Sequence, residues 1–408
     1  MASGSAHLHA HAHAGRVRLV RALTRQGSRP WPPPPACLDL LEASVASRPL
    51  LSSKSSSIVS YSFTLPPLDG ESPDGVVPVT LLRAAASPPQ KASQKVSEVN
   101  HDGADARDAT SLLPMVIYLH ATGSDTDEVL SFMAQRYAAR GYLAVGVDAR
   151  RHGRRNRKGE STREKYGNAL LEAWEKRDDP THRDAPFLLD SAYDVCRVVS
   201  CFHGSTDNAQ AWGVDTTKIG ITGISLGGMI GLLCSAADER IAASAPMIGT
   251  QSFAYGLDND KWQARVNSLP GSVFADAQRE LGGKGSALTP ETVRRVYSAI
   301  SPGLLDDCDG ETTVPLASTR PLAIINAADD PRNPLDGVRL CVEAARSLPG
   351  YDADTFLACA QLGTPHTCTD AMQDVAMRFL DVHLKGDCDG GKESAKRILD
   401  VPTTFVTL

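Results

Sequence analysis

The segment Gly223-Ile224-Ser225-Leu226-Gly227-Gly228 restricts the fold of this chain more than any other stretch. It follows a short apolar run, Ile219 to Thr222, and opens an apolar stretch with helical spacing, Leu226 to Ala237. A strand that turns directly into a helix brings the two backbones together, so the residues two before and two after the apex must be small. The apex residue is held in a strained conformation and its side chain projects above the sheet edge. Here that residue is a serine, and the helix N-terminus beneath it favours negative charge at the same spot.

Other short apolar runs alternate with helical patterns on both sides of this turn. The runs are Met115 to Leu119, Tyr142 to Val147, Ile241 to Ala245, Pro321 to Asn326 and Phe356 to Ala360. The helical patterns are Asp127 to Arg140, Leu188 to Phe202, Leu335 to Ser347 and Asp370 to Lys385. Continuous apolar runs, rather than strict alternation, mark strands covered on both faces. Repeated strand and helix units predict an α/β fold around a mostly parallel, doubly wound sheet. Ile58 to Leu65 and Val76 to Leu82, joined by a Pro, Gly and Asp turn, add a hairpin in front.

Two segments interrupt this rhythm. Residues 150–184 are charged, with Arg154, Arg155, Arg157 and Lys158 close together, and read as a solvated loop, with binding of an anionic substrate by the Arg run as the alternative. Residues 250–312 look mostly helical and are long enough to cover the C-terminal edge of the sheet as a lid. Residues 84–112, rich in Ser, Ala, Lys and Asp, read as an exposed loop insertion. The folded core then spans 58–390, with a C-terminal tail over 391–408.

The first 57 residues differ in composition and are expected to form a disordered extension. Residues 1–38 hold no Asp or Glu and carry Arg16, Arg18, Arg21, Arg25 and Arg29. Such a stretch resembles a plastid or mitochondrial transit peptide, or is a biased extension with no address. The alternation His7, His9, His11, His13 fixes no ligand geometry, so no metal site is expected there.

Bulk composition excludes several classes. Lys plus Arg is 42 and Asp plus Glu 48, for a net charge of −6, so no basic surface for nucleic acid is expected. No run of 18 apolar residues exists, hence no expected membrane span. The nine cysteines are scattered, without a paired motif, and fit thiols in a reducing compartment, cytoplasmic or plastid.

A serine nucleophile needs a base, and the base an orienting acid. Downstream of Ser225 stand only His366 and His383. His366 lies in the loop Gly363-Thr364-Pro365-His366 after an apolar run, where an imidazole can reach the sheet edge. His383 lies inside a helical pattern. The acid follows the run ending at Asn326: Asp330 is preferred and Asp329 is the alternative. The oxyanion would be met by the amide of Leu226 and by a second amide, of Thr122 or Ala121, in the loop His120-Ala121-Thr122-Gly123. His120 is expected to fix that loop.

Together these pieces resemble the α/β-hydrolase superfamily. Within it they are most similar to dienelactone-hydrolase and prolyl-oligopeptidase-type serine hydrolases, including plant members without a propeller domain. The carrying motifs are His120-Ala-Thr-Gly123, Asp148-Ala-Arg-Arg-His152-Gly153, Gly223-Ile-Ser225-Leu-Gly227, Asp330-Pro-Arg-Asn-Pro334 and Pro365-His366. The resemblance covers about residues 58–388. It implies the α/β-hydrolase fold with a helical lid, and a Ser225, Asp330, His366 triad that forms an acyl-enzyme. It also implies that Arg150 and His152 sit at the pocket rim as substrate-binding residues. The reaction implied is hydrolysis of a small carboxylic ester, without metal or organic cofactor. A serine peptidase or aminoacyl hydrolase, or a ligand-binding receptor on this scaffold, are the alternatives. The sequence does not set the oligomeric state.

Overall fold

A computed structural model describes residues 14–25, 29–33, 58–68, 75–84, 112–156, 161–179, 181–182, 184–282, 287–386 and 402–408. The strands are β1 (Ile58–Leu65), β2 (Val77–Ala84), β3 (Leu113–Leu119), β4 (Leu143–Val147), β5 (Val214–Ile224), β6 (Ala243–Met247), β7 (Leu322–Ala327), β8 (Phe356–Gln361) and β9 (Phe405–Thr407). The helices begin with α1 (residues 14–23), α2 (Leu130–Arg136), α3 (Thr162–Glu175), α4 (Leu189–His203), α5 (Thr206–Trp212) and α6 (Leu226–Ala237). They continue with α7 (Phe253–Asp258), α8 (Gln263–Val266), α9 (Ser272–Gly282), α10 (Pro290–Ile300), α11 (Gly310–Ala317), α12 (Leu335–Arg346) and α13 (Asp370–Lys385).

The nine strands form one sheet in the order β1-β2-β4-β3-β5-β6-β7-β8-β9. The run from β4 through β3 to β8 is parallel. The β1–β2 hairpin joins it antiparallel through β2 and β4. β9 closes the far edge, antiparallel to β8. Strands β4, β6 and β7 are buried at every position, as their unbroken apolar runs require.

Alternate residues feed two hydrophobic clusters on opposite faces. Met115, Ile117 and Leu119 of β3 join side chains from α1, α4, α6, α11 and α12. Val116 and Tyr118 join side chains from α2 and α13. The C-terminal ends of the parallel strands therefore meet at one edge, where such sheets place ligands.

Several expectations are corrected. The segment 150–184 is not all solvated loop: it contains α3, which buries Tyr166, Leu170, Ala173 and Trp174. Its charges occupy the other side, so composition hid the stripe. α3 packs on α9 and α10 and so belongs with the helices of 250–312. In the expected tail, residues 405–407 are an edge strand.

The disordered extension expected over 1–57 fails for residues 14–25 and 29–33. Leu19, Ala22 and Leu23 lie on one side of α1 and are buried in the core. Arg16 Nε donates to Ala236 O at 3.0 Å, at the end of α6. Arg25 and Arg29 both pair with the buried carboxylate of Asp190 in α4. Arg16, Arg25 and Arg29, three arginines of the acid-free stretch, are thus anchors of the segment. The remaining residues of 1–57, among them His7 to His13, lie outside the described residues, as do residues 85–111, Arg157, Lys158 and residues 387–401.

Candidate active site

The turn from β5 to α6 places Ser225 at φ 54° and ψ −107°. A side chain has little freedom to relieve such a conformation, and the backbone there is held from both sides. The Ser225 N–H donates to Met247 O at 2.9 Å, and the Met229 N–H donates to Ser225 O at 2.9 Å. A Cβ on Gly227 would stand 2.2 Å from Leu119 O, and one on Gly223 would stand 2.7 Å from the same oxygen. Only glycine permits that approach, and the approach seats the loop after β3 beside Ser225.

That loop is held by one imidazole. His120 Nε2 accepts the Ala149 N–H at 3.0 Å, so its Nδ1 carries the proton and donates to Ala121 O at 2.8 Å. Burial pushes the His120 pKa down, which suits a neutral crosslink. His120 thus fixes the loop, as expected. The N–H groups of Thr122 and Leu226 have no hydrogen-bond partner among the described residues.

Ser225 Oγ lies 2.8 Å from His366 Nε2. His366 Nδ1 lies 2.6 Å from Asp330 Oδ2. The two supporting loops are tied together, because the Asp329 N–H donates to Thr364 O at 3.0 Å. Asp330, not Asp329, meets the imidazole: Asp330 is buried, while Asp329 is exposed. The N–H groups of Arg332 and Asn333 donate to Asp330 Oδ1 at 2.8 and 3.2 Å. Asn333 Nδ2 donates to Asp330 Oδ2 at 2.9 Å.

Burial works to raise the Asp330 pKa, but the hydrogen bond and charge of His366, with the Arg332 N–H and the Arg265 charge, outweigh it. The carboxylate is held below its usual range. His366 is pushed below the ordinary imidazole value, chiefly by burial and further by Arg265 and Arg332, against the raising effect of Asp330. A hydroxyl beside a neutral, oriented imidazole can lose its proton to Nε2 as it attacks an electrophile.

Two expected substrate-binding residues point elsewhere. Arg150 grips Asp194 through Nε at 2.8 Å and Nη2 at 3.1 Å, and it reaches Asp190 Oδ2 at 3.4 Å. Its guanidinium is therefore committed to a buried ion network with α4 rather than to a rim. Arg155 joins the same network through Asp194 at 2.8 Å. His152 is fully buried, its Nδ1 against Arg150 O at 2.8 Å, between the rings of His120 and Tyr166. Burial and the nearby His120 push its pKa down to about 4. His383 contacts the Phe379 ring within α13.

Asn333 stands within the Asp330–Pro334 motif with no role assigned to it, and Arg265 lies in none of the motifs. Asn333 lies three residues after Asp330, a spacing at which a side chain closes a local turn. Arg265 Nη2 donates to Asn333 Oδ1 at 2.9 Å, and nothing local in the sequence links the two. No group of three or more His, Cys, Asp or Glu among the described residues is arranged to hold a metal.

No protein-family model matches the chain. No curated protein matches it either. Solved structures do. Acetyl xylan esterase 1 from Thermoanaerobacterium sp. JW/SL YS485 is 13% identical, with a TM-score of 0.51 over 89% of this chain and 91% of that one. An acetyl xylan esterase from Paenibacillus sp. R4 is 14% identical, with a TM-score of 0.49 over 90% and 94%. The Pyrococcus horikoshii acylaminoacyl peptidase is 15% identical, with a TM-score of 0.48 over 84% of this chain and 44% of that one. At such identity a likeness carries architecture alone, and with the strand order and the β5–α6 turn it leads to one statement: the chain has the α/β-hydrolase fold.

Proposed function

We propose that the chain is a serine hydrolase that cleaves carboxylic esters, within the dienelactone-hydrolase-like branch of its fold. The observation that carries this reading is the relay from Ser225 through His366 to Asp330, at 2.8 and 2.6 Å, on a strained strand-to-helix turn. Ser225 Oγ attacks the ester carbonyl as His366 Nε2 takes its proton. Asp330 holds the Nδ1–H and stabilises the imidazolium. The Thr122 and Leu226 N–H groups receive the oxyanion, a task for which their free state supports them. The imidazolium returns its proton to the departing alcohol, and an acyl-Ser225 ester remains. Water then attacks that ester with His366 again as base, and the carboxylic acid leaves. The reaction draws only on the chain and water.

The helices of 250–312, with α3, form the lid over this edge. The described cysteines Cys196, Cys201, Cys234, Cys308, Cys341, Cys359 and Cys368 are free thiols, which supports a reducing compartment. No described helix is long and apolar enough to cross a membrane.

The test is covalent labelling by a fluorophosphonate, with the modified peptide identified, and turnover of short 4-nitrophenyl esters. Label on Ser225 and loss of several orders of magnitude in Ser225→Ala support the assignment. Wild-type turnover in Ser225→Ala refutes it.

A further inference from the structure

Asn333 is buried, at 1% exposure, and its amide joins three parts of the chain. Oδ1 accepts from Arg265 Nη2 of α8 at 2.9 Å. Nδ2 donates to Asp330 Oδ2 at 2.9 Å and to Ile248 O at 2.8 Å. A guanidinium holds only donors, whereas a carboxylate and a carbonyl only accept, so the partners fix which end of the amide is which. Both hydrogens of the amide nitrogen are then in use. A side chain that merely closed the turn would bond to the backbone of its own loop. The Asn333 amide does not: its donors go to a carboxylate and to the end of another strand.

The bond to Asp330 falls on the oxygen that matters. Among the described residues Asp330 meets four donors. The N–H groups of Arg332 and Asn333 take Oδ1 at 2.8 and 3.2 Å. Both are backbone groups, which a substitution at 333 would keep. Oδ2 receives His366 Nδ1 at 2.6 Å and the Asn333 amide at 2.9 Å. Without that amide, the oxygen that should orient the imidazole is held by the imidazole alone.

The far end of the junction carries strain. Ile248 lies just past β6 at φ 43°. A β-branched residue rarely enters that region, and such strain persists where the surroundings over-determine it. The Ile248 N–H donates to Ile325 O of β7 at 2.7 Å, and its carbonyl meets Asn333. The residue before it, Met247, accepts the Ser225 N–H at 2.9 Å. One amide therefore links the backbone that holds the nucleophile to the carboxylate that holds the base. On its other side Arg265 grips the same turn twice, at Asn333 Oδ1 and at Arg332 O, 3.4 Å away.

We infer that Asn333 is a positioning residue of the candidate triad: its amide fixes Asp330 Oδ2 against His366 and ties that orientation to the end of β6 and to lid helix α8. This deepens the serine-hydrolase reading and rests on it.

The test uses the full chain and a short 4-nitrophenyl ester. Asn333→Ala should lower kcat by roughly ten- to hundredfold, the range of a hydrogen bond to a charged group, while KM moves less than about twofold. In the Asp330→Asn background the same substitution should cost less than about twofold in kcat, because the group it acts through is gone. Equal fold-losses in the two backgrounds would belong to a residue that does not act on Asp330, and they overturn the proposal. So does a wild-type kcat in Asn333→Ala. If Asn333→Ala does not fold, Asn333→Asp decides. It keeps the size and the Arg265 contact and sets a second carboxylate against Asp330. At about pH 9, with both ionised, its kcat should fall at least as far, and an unchanged kcat overturns the proposal. Fluorophosphonate labelling of Ser225 in the wild type is scored separately, and its failure sinks the hydrolase reading alone. The His366 pKa then decides the role of Asn333, read by NMR titration of ring-labelled histidine and identified by its loss in His366→Ala. It should change in Asn333→Ala, and an identical pKa overturns the proposal.

Discussion

Leu23→Ala is a point change in a region whose composition reads as a detached extension. Leu23 is fully buried, as is Leu19 one turn earlier, and both belong to the main core cluster. Truncating a fully buried leucine costs about 2–5 kcal/mol, because transfer and cavity terms add. The same change in a solvated tail costs nothing measurable. The docked segment has further anchors, from Arg25 and Arg29 to Asp190, which is 1% exposed. Two outcomes are therefore open to a chain with α1 in place. If docking of α1 exceeds the penalty, the whole domain loses that stability in urea. If docking is weaker, α1 is released first as a local unit. Trypsin then cuts at Arg18 and Arg21, already the exposed arginines of α1, many times faster than in the wild type. Urea unfolding and timed trypsin digestion with mass mapping read the two cases. A variant identical to wild type in both assays would refute the docking of α1. The same packing bears on the targeting reading. Cleavage anywhere in 34–57 would discard α1 and uncover Asp190, so a chain starting at Ile58 is expected to be less soluble than the full chain.

Three other outcomes follow from the site and its supports. Asp330→Asn should lower turnover by up to about 10⁴, as loss of the orienting carboxylate does in a comparable triad, while Asp329→Asn leaves most of it; steady-state rates on one ester rank them. With His366 as the proposed base, acting in its neutral form, and its pKa held below the ordinary imidazole value, kcat/KM should fall only on the acid side, with a midpoint below that of a free imidazole; a midpoint above 7 would contradict the burial argument. Burial works to raise Asp190 and Asp194, but Arg150 with Arg29, Arg25 and Arg155 holds both far below the carboxylate range. Their stabilisation is therefore complete above about pH 4, the unfolded value, and is lost as pH falls below it. Asp194→Asn should lower Tm at pH 7 and converge with wild type in acid.

The parts of this fold that were legible share one property: their signal is local. The run Asp370 to Lys385 is a helix over that same range because Thr369 caps it and one apolar stripe runs its length. Strand β5 shows the limit. It begins at Val214, which pairs with Leu113, and the ladder then skips Asp215 to Lys218 before it resumes with Ile219 beside Met115, so an irregular, polar stretch hides the start of the strand. The relay of Ser225, Asp330 and His366 was legible because each residue sits at a strand end, and strand ends can be counted. Arg150 shows why the motif around it misled. A guanidinium at a sheet edge can face a ligand or a buried acid, and Asp190 and Asp194, forty and more residues onward, decide it. Their positions on one face of α4 carry no mark of that pairing.

The same contrast divides the chemistry of the site. The groups assigned to the reaction hang from the loops after β3, β5, β7 and β8, and each strand fixes its own loop within a continuous ladder. Arg265 hangs from α8, a helix inserted between strands, and is tied to Asn333 and through it to Asp330. Its charge is one of the effects that hold the His366 pKa down. Arg265→Met removes that charge, so the acid limb of kcat/KM should move to higher pH, and an unmoved limb in a folded variant would refute the coupling.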